Sequence, residues 1–169
     1  MHVNNCRKLF LVFATMLFCA LAWTLSAQQK TSPEPKGAEV AVIVNPLNSV
    51  DSISLVDLRK IFAGEKQSWS GGIPVSVFVR APGAHERDVL LERLLRMTES
   101  EYKAHWVKQI YSGEAQREPL ALNSNGMQLE AVRSDKGGIA LISLQDLHPG
   151  VKVLKVDGHL PGSSSYPLK

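Results

Sequence analysis

The sequence predicts an α/β layer sandwich built on a mostly parallel β-sheet. The run Val40–Val44 is uniformly apolar, which is typical of a strand covered on both faces, as in parallel sheets. A second run of this kind occupies residues 139–142, near the end of the chain. Between the two runs, strand-like segments alternate with segments whose apolar residues have helical spacing. This alternation predicts helices packed on both faces of one sheet.

The composition fits one ordinary globular domain. The chain has 169 residues, of which 44% are apolar and 21% charged. Lys and Arg number 19, and Asp and Glu number 16. Two of the cations, Arg7 and Lys8, lie in a segment that we expect to be removed, after which 17 cations face 16 anions. So small a net charge argues against a nucleic-acid partner or a membrane surface.

Residues 1–27 have the pattern of a secretory signal peptide. Arg7 and Lys8 precede an uncharged apolar stretch at 9–25, and the small residues Ser26 and Ala27 follow it. We therefore expect an exported protein in the periplasm. The stretch is nearly long enough to cross a bilayer, so an uncleaved N-terminal anchor is the alternative.

The mature chain lacks the usual residues of metal and catalytic centres. Both cysteines, Cys6 and Cys19, lie inside the signal segment, which excludes disulfides, thiolate metal sites and cysteine nucleophiles from the domain. The histidines of the domain are scattered and do not have the spacing of metal ligands. We expect no metal, no cofactor and no catalytic residues, and hence no enzyme.

The domain is expected to span residues 39–157, after a flexible leader at 28–38 that contains two prolines. Ser54 and Asp57 have the spacing of a capping box, so a helix with Leu58 and Ile61 on its buried face begins there. Alternating apolar residues at 73–79 predict the next strand.

Helices and short strands fill the second half of the domain. Residues 86–97 have helical spacing, and a further capping box at Thr98 and Glu101 starts a helix with Tyr102 and Trp106 on its buried face. Either Ser124 or Asn125 caps the following helix. A last strand is expected near 151–154, before a polar C-terminal tail at 158–169.

The loop after the second strand is the strongest candidate for a binding site. Ligands of α/β sheets bind outside the carboxyl ends of strands, and here the chain turns directly into a helix. A helix N-terminus offers unpaired N–H groups, and the arginines and histidine around it suit an anion. The candidate ligand residues of this loop are Arg80, Gly83, Ala84, His85 and Arg87. The alternative is that both arginines are surface residues with ordinary carboxylate neighbours, and Glu86 favours it, because an acid in the first helical turn itself satisfies the helix dipole.

Two further segments follow predicted strands. Asn45 comes directly after the first strand, and Ser124 comes shortly after Leu122. We expect both side chains to line the same cleft as the arginine loop. An Asx turn at Asn45 and a helix cap at Ser124 are the alternatives.

Several short segments follow one another over about residues 40–156: VIVNP at 42–46, LRKIFAG at 58–64, WSGGIPV at 69–75, RAPGAHER at 80–87, Trp106, YSG at 111–113 and GGIALI at 137–142. Taken in this order, they resemble the PBP-like domain of phosphate ABC transporter substrate-binding proteins. The resemblance implies a fold like that of type II periplasmic binding proteins, here as a single or reduced lobe.

The resemblance also implies a function without catalysis. It implies binding of phosphate or a related oxyanion for uptake or sensing, with a membrane permease or an envelope receptor as partner. In the family's anion loop two arginines flank a Ser and a Thr; Arg80 and Arg87 match the arginines, but Ala84 and Glu86 take the hydroxyl positions. Because these losses weaken phosphate binding, the alternative is a degenerate PBP-like domain that acts as a protein-interaction module of the cell envelope.

Overall fold

The computed structural model describes residues 39–169. The expected signal peptide at 1–27 and the leader at 28–38 lie outside the described residues. Among residues 39–169, no helix is both long enough and apolar enough to span a membrane.

The described chain forms seven short strands and four α-helices. In chain order these are β1 (Val40–Val44), β2 (Ser52–Ile53), α1 (Leu55–Phe62), β3 (Ser76–Arg80), α2 (His85–Val89), α3 (Glu99–Tyr111), β4 (Leu120–Leu122), α4 (Asn125–Ser134), β5 (Gly138–Ser143), β6 (Lys152–Val153) and β7 (Lys155–Val156). A π-helix (Leu90–Leu95) continues α2, and a 3-10 helix (Leu144–Asp146) follows β5.

The main sheet has five strands in the order β4-β3-β5-β1-β6. β3 pairs parallel with both β4 and β5, whereas β1 pairs antiparallel with both β5 and β6. Four of the five strands therefore run in one direction, which confirms the predicted mostly parallel sheet. β1 is the exception. The sequence did not indicate this, because the apolar run of β1 indicated burial on both faces and carried no information on direction. β2 and β7 form a separate parallel pair.

Helices cover both faces of the sheet, as predicted. Alternate residues of β1 enter two cores: Val42 packs with α1, the π-helix and α3, whereas Ile43 packs with α4. All five residues of β1 are fully buried. The uniform apolarity of this strand therefore follows from its position between two helical layers.

Three helices begin at the residues whose side chains were expected to cap them. The hydroxyl oxygens of Ser54, Thr98 and Ser124 each accept a hydrogen bond from a backbone N–H in the first turn. At Thr98 the box is complete, since the Glu101 carboxylate also accepts from the Thr98 amide at 2.7 Å. These local bonds satisfy N–H groups that a helix leaves without partners.

The segment expected to form one helix at 86–97 changes its winding. α2 gives way to the π-helix after Val89, and four leucines of the π-helix are buried. Arg96 then ends the segment with a φ of 56°, a left-handed conformation that normally favours glycine.

β3 is shorter than its apolar pattern suggested, and the packed domain extends further than expected. β3 begins only at Ser76, because residues 73–75 belong to a turn region in which Ser68 bridges Pro74. At the C-terminus, Tyr166 and Leu168 are buried in the main core, and the Leu168 carbonyl accepts from the Val40 amide. The packed domain therefore extends beyond residue 157, into the segment that we expected to be a polar tail.

Candidate functional site

The carboxyl ends of β3, β4 and β5 meet at one edge of the sheet. β3 ends at Arg80, which pairs with Leu122, the last residue of β4. β5 lies on the other side of β3 and ends at Ser143. Both α2 and α4 begin close to this edge, so their N-terminal turns and the strand ends place polar side chains in one region. We call this region the carboxyl edge.

A buried carboxylate occupies the centre of the carboxyl edge. Glu86 is 1% exposed, and its Oε1 accepts hydrogen bonds from the Ser143 amide at 2.9 Å, the Ser143 hydroxyl and Asn125 Nδ2 at 2.7 Å. Asn125 Nδ2 also donates to Asp146 at 2.8 Å. Three donors thus converge on one carboxylate oxygen supplied by the protein itself.

Glu86 is ionised in this environment. Burial raises the pKa of its carboxyl group, but hydrogen bonds from Ser143, from its own backbone amide and from Asn125 outweigh burial, so the pKa lies below its ordinary value. The positive end of α2 acts in the same direction, since Glu86 lies in the first turn. The carboxyl edge therefore contains a fixed negative charge.

Arg80 compensates this charge. Its Nε lies 3.5 Å from Glu86 Oε2, and its Nη1 donates to the Leu122 carbonyl at 3.2 Å. The side chain is 8% exposed. Arg80 is therefore held between the end of the neighbouring strand β4 and the carboxylate in the first turn of α2.

Arg87 points to a different acid. Its Nε and Nη2 donate to the two carboxylate oxygens of Glu99 at 3.0 and 2.9 Å, a bidentate pair. The guanidinium also lies 4.0 Å from the ring centre of Tyr102. The hydrogen bond from Arg87 lowers the pKa of Glu99. Of the two readings for the arginines, pairing with the protein's own carboxylates is the one that the structure supports.

Asn45 lies at the other edge of the sheet. Because β1 is antiparallel, its carboxyl end meets the amino ends of β5 and β3, with Val44 opposite Ile139. Ser76, the first residue of β3, pairs with Gly138 at this end of the sheet. Arg80 lies four residues after Ser76, about 13 Å away at the usual rise per residue. The Asn45 amide donates to the carbonyls of Val132 and Arg133 at the end of α4, at 3.0 and 2.9 Å. Our expectation that Asn45 shares the cleft of the arginine loop is wrong, because it assumed that β1 is parallel to β3.

The remaining candidates of the loop lie at the carboxyl edge. Ala84 is the N-cap residue of α2 and has no capping side chain, and Gly83 before it has a φ of 87°. His85 is half-buried in the first turn. Ser124 also lies at this edge, where its hydroxyl accepts from the Met127 amide at 3.1 Å and caps α4.

Three polar residues of the carboxyl edge were not among our candidates. Ser143 follows the buried strand at 139–142, and Asp146 follows soon after it. The rule used for the other strand ends would have found Ser143, had it been applied to this strand as well. Asn125 was expected as a helix cap first and as part of a ligand loop second, and nothing in the sequence indicates that its amide reaches Glu86, 39 positions earlier.

The chemistry of the carboxyl edge is the binding of one anion. A side-chain amide, a hydroxyl and a backbone N–H donate hydrogen bonds to Glu86. The Arg80 guanidinium lies at ion-pair distance from the same carboxylate. Within residues 39–169, no group of three or more His, Cys, Asp or Glu side chains is arranged to hold a metal ion.

Comparison with solved structures identifies the fold. No family model matches the sequence. The chain is similar to a putative phosphate ABC transporter substrate-binding protein with bound phosphate from Clostridium perfringens, with 21% identity over 72% of this chain and 46% of that chain and a TM-score of 0.59. It is also similar to an ABC-type phosphate transport receptor from Vibrio cholerae, with 19% identity over 73% of this chain and 48% of that chain and a TM-score of 0.59. The similarity to PstS from Borrelia burgdorferi has 19% identity over 78% of this chain and 54% of that chain and a TM-score of 0.60.

The chain thus spans about half the length of the structures that it matches. At 19–21% identity this likeness establishes the fold and leaves the ligand open. The described chain has the fold of part of a phosphate ABC transporter substrate-binding protein, which confirms the expected fold class.

Proposed function

We propose that this chain is a solute-binding-like domain that does not bind free phosphate and instead acts in the cell envelope through contacts with other proteins. The observation that carries the proposal is the buried carboxylate of Glu86, which receives the hydrogen bonds of Ser143 and Asn125 at the carboxyl edge. The protein's own side chain replaces an anionic ligand there.

A second anion at the carboxyl edge would meet strong repulsion. Two unit charges 4 Å apart near a protein surface interact by about 4 kcal/mol. Without the compensating charge of Arg80, a repulsion of this size would correspond to roughly a thousandfold loss of affinity, and the Arg80–Glu86 pair reduces this loss. A phosphate would also have to compete for donors that already bind Glu86.

The arginines support the same conclusion. Arg80 is paired with Glu86, and Arg87 forms a bidentate pair with Glu99. To bind phosphate, Arg80 would have to leave the buried Glu86, or Arg87, which is itself buried, would have to leave Glu99. Removing one partner from a buried ion pair costs more free energy than a new ion pair exposed to solvent contributes.

Binding of phosphate or a related oxyanion, for uptake or sensing, is the second candidate. It is favoured by the fold similarity to phosphate-binding structures, one of which contains phosphate. On either candidate, residues 1–27 would export the protein to the periplasm. A membrane permease is the expected partner for uptake, and an envelope receptor or another envelope protein for the interaction role. Neither candidate includes catalysis.

Isothermal titration with inorganic phosphate and with sulfate distinguishes the two. We expect no heat of binding and no rise in Tm for the purified protein at millimolar anion, because a ligand that binds the folded state must stabilise it. The Glu86→Ala variant removes the internal anion, and we expect it to gain weak phosphate binding. Glu92→Ala, which changes an exposed acid of the π-helix, is the matched control and should not respond.

Tight, dose-dependent phosphate binding by the unaltered protein, reduced by Arg80→Gln or Arg87→Gln, would overturn the proposal. It would establish the oxyanion-binding function in its place.

A further inference from the structure

A cleft without acidic residues in its lining lies between α1 and the end of the π-helix. It encloses about 250 Å³ and is lined by Leu55, Val56, Arg59, Arg93, Leu94 and Arg96. We call it the arginine groove. Three of its six lining residues are cations, three are aliphatic, and none is acidic.

The cations of the arginine groove are available for a partner. Arg93 and Arg96 are exposed, and within residues 39–169 neither has a carboxylate at ion-pair distance. Arg59 donates through Nε to the Leu94 carbonyl at 2.7 Å, which fastens α1 to the π-helix and holds one wall of the groove in place. With about equal numbers of cations and anions in the predicted mature chain, this cluster is a local excess of positive charge.

The groove also has an apolar surface. Val56 is 64% exposed, although it lies next to the buried core of α1. Leu55 is half-buried beside it, and Leu94 closes the inner side. An occupant that matches this surface combines negative charge with an aliphatic group.

Arg96 adds a second line of argument. It has a φ of 56° at the end of the π-helix, a position at which glycine would be free of strain. An arginine here places a guanidinium at the groove at the cost of backbone strain. Such strain is often found at functional sites, since a residue chosen for the fold alone would avoid it.

We propose that the arginine groove binds a segment of a partner protein that carries Asp or Glu residues beside a Leu, Ile or Val side chain. This inference rests on the proposed interaction function and names the surface that performs it. Arginines form bidentate contacts with carboxylates and are enriched at the centres of protein interfaces. A concave cleft suits an inserted side chain better than the flat surface of a membrane, so a peptide segment fits it better than lipid headgroups.

Selection of short random peptides displayed on phage, with the purified protein as target, tests the proposal. We expect an enriched consensus with at least two acidic residues next to an aliphatic one. The Arg93→Gln/Arg96→Gln double variant should lose this consensus and bind a synthetic consensus peptide about tenfold more weakly in fluorescence anisotropy. The Lys108→Gln/Arg117→Gln double variant removes two exposed cations outside the groove and should behave as the unaltered protein does.

Arg96→Gly separates binding from folding. Glycine relieves the strain at this position, so the variant should keep or raise its Tm while its affinity for the consensus peptide falls. A loss of binding by a protein of unchanged or higher stability cannot be ascribed to damage to the fold.

The proposal is overturned if no acidic and aliphatic consensus emerges, or if the groove variants retain it. Binding to vesicles of anionic phosphatidylglycerol that depends on Arg93 and Arg96, in the absence of such a consensus, would assign the groove to a lipid surface and also overturn it. Neither result alters the phosphate titration, so a failure of this inference is distinguishable from a failure of the proposed function.

Discussion

Replacing Glu86 by glutamine tests how much the carboxyl edge depends on its internal charge. Glutamine keeps an oxygen that can accept from Ser143 and Asn125 and removes only the negative charge. Arg80, which is 8% exposed and 3.5 Å from the carboxylate, then loses the negative charge of Glu86. Removing one partner of a buried ion pair typically costs 3–5 kcal/mol, and we expect about 3 kcal/mol because the hydrogen bonds remain.

The loss is measured by urea unfolding, followed by the fluorescence of Trp69 and Trp106, both of which are buried. For a domain of this size, about 3 kcal/mol corresponds to a fall in Tm of roughly 10 °C. Glu92→Gln removes an exposed carboxylate from the neighbouring π-helix and should change the free energy of unfolding by less than about 0.5 kcal/mol.

The pH dependence gives an independent check. The pKa of Glu86 is lower in the folded protein than its ordinary value of 4.5. Its ionised form therefore stabilises the fold above about pH 4.5, and this contribution is lost as the pH falls through the folded-state pKa. The difference in stability between the unaltered protein and Glu86→Gln should be constant near neutral pH and shrink in acid.

Two outcomes would refute this reasoning about Glu86. One is a Glu86→Gln variant as stable as the unaltered protein at neutral pH. The other is a difference in the free energy of unfolding that stays constant down to the acid limit of the folded state. Either would mean that Glu86 is not held as a buried charge.

Two further predictions concern packing. A Cβ added to Gly137 would lie 1.8 Å from the Pro74 carbonyl oxygen, so Gly137→Ala should cost at least about 3 kcal/mol in urea unfolding; at Gly126, near the start of α4, the nearest atom is 3.8 Å away, and alanine should stabilise by about 0.5–1 kcal/mol. Leu168 is fully buried, so Leu168→Ala should lower the free energy of unfolding by about 2–5 kcal/mol, whereas Leu160→Ala, at a side chain 46% exposed, should change it by less than about 0.5 kcal/mol. Equal effects within either pair would contradict the packing described for these positions.

The arginines of the predicted anion loop and the arginines of the arginine groove differ in their pairing. Arg80 and Arg87 were the candidates for an anion site, and both are paired with Glu86 and Glu99. None of the groove's arginines was a candidate site residue, since they lie in helical segments where a charge is usually a solvated surface residue; Arg59 entered only as part of the LRKIFAG segment. Their proximity depends on the packing of α1 against the π-helix.

The sequence by itself determined where helices start and which segments are buried. Ser54, Thr98 and Ser124 cap the predicted helices because a cap is a bond between residues three positions apart, which local sequence specifies. The apolar run of β1 predicted a strand buried on both faces for a similarly local reason. The acid in the first turn of α2 also argued against an anion pocket there, because it satisfies the helix dipole itself.

Only the tertiary structure decided the direction of β1 and the partners of the buried charges. A uniformly apolar strand is the same whether its neighbours run parallel or antiparallel, so the sequence could not indicate that Asn45 lies at the opposite edge from Arg80. Asn125 and Ser143 meet Glu86 across separations of 39 and 57 positions, and such contacts follow from how the sheet and both helical layers pack together. These long-range contacts bring the donors of the carboxyl edge to the carboxylate of Glu86.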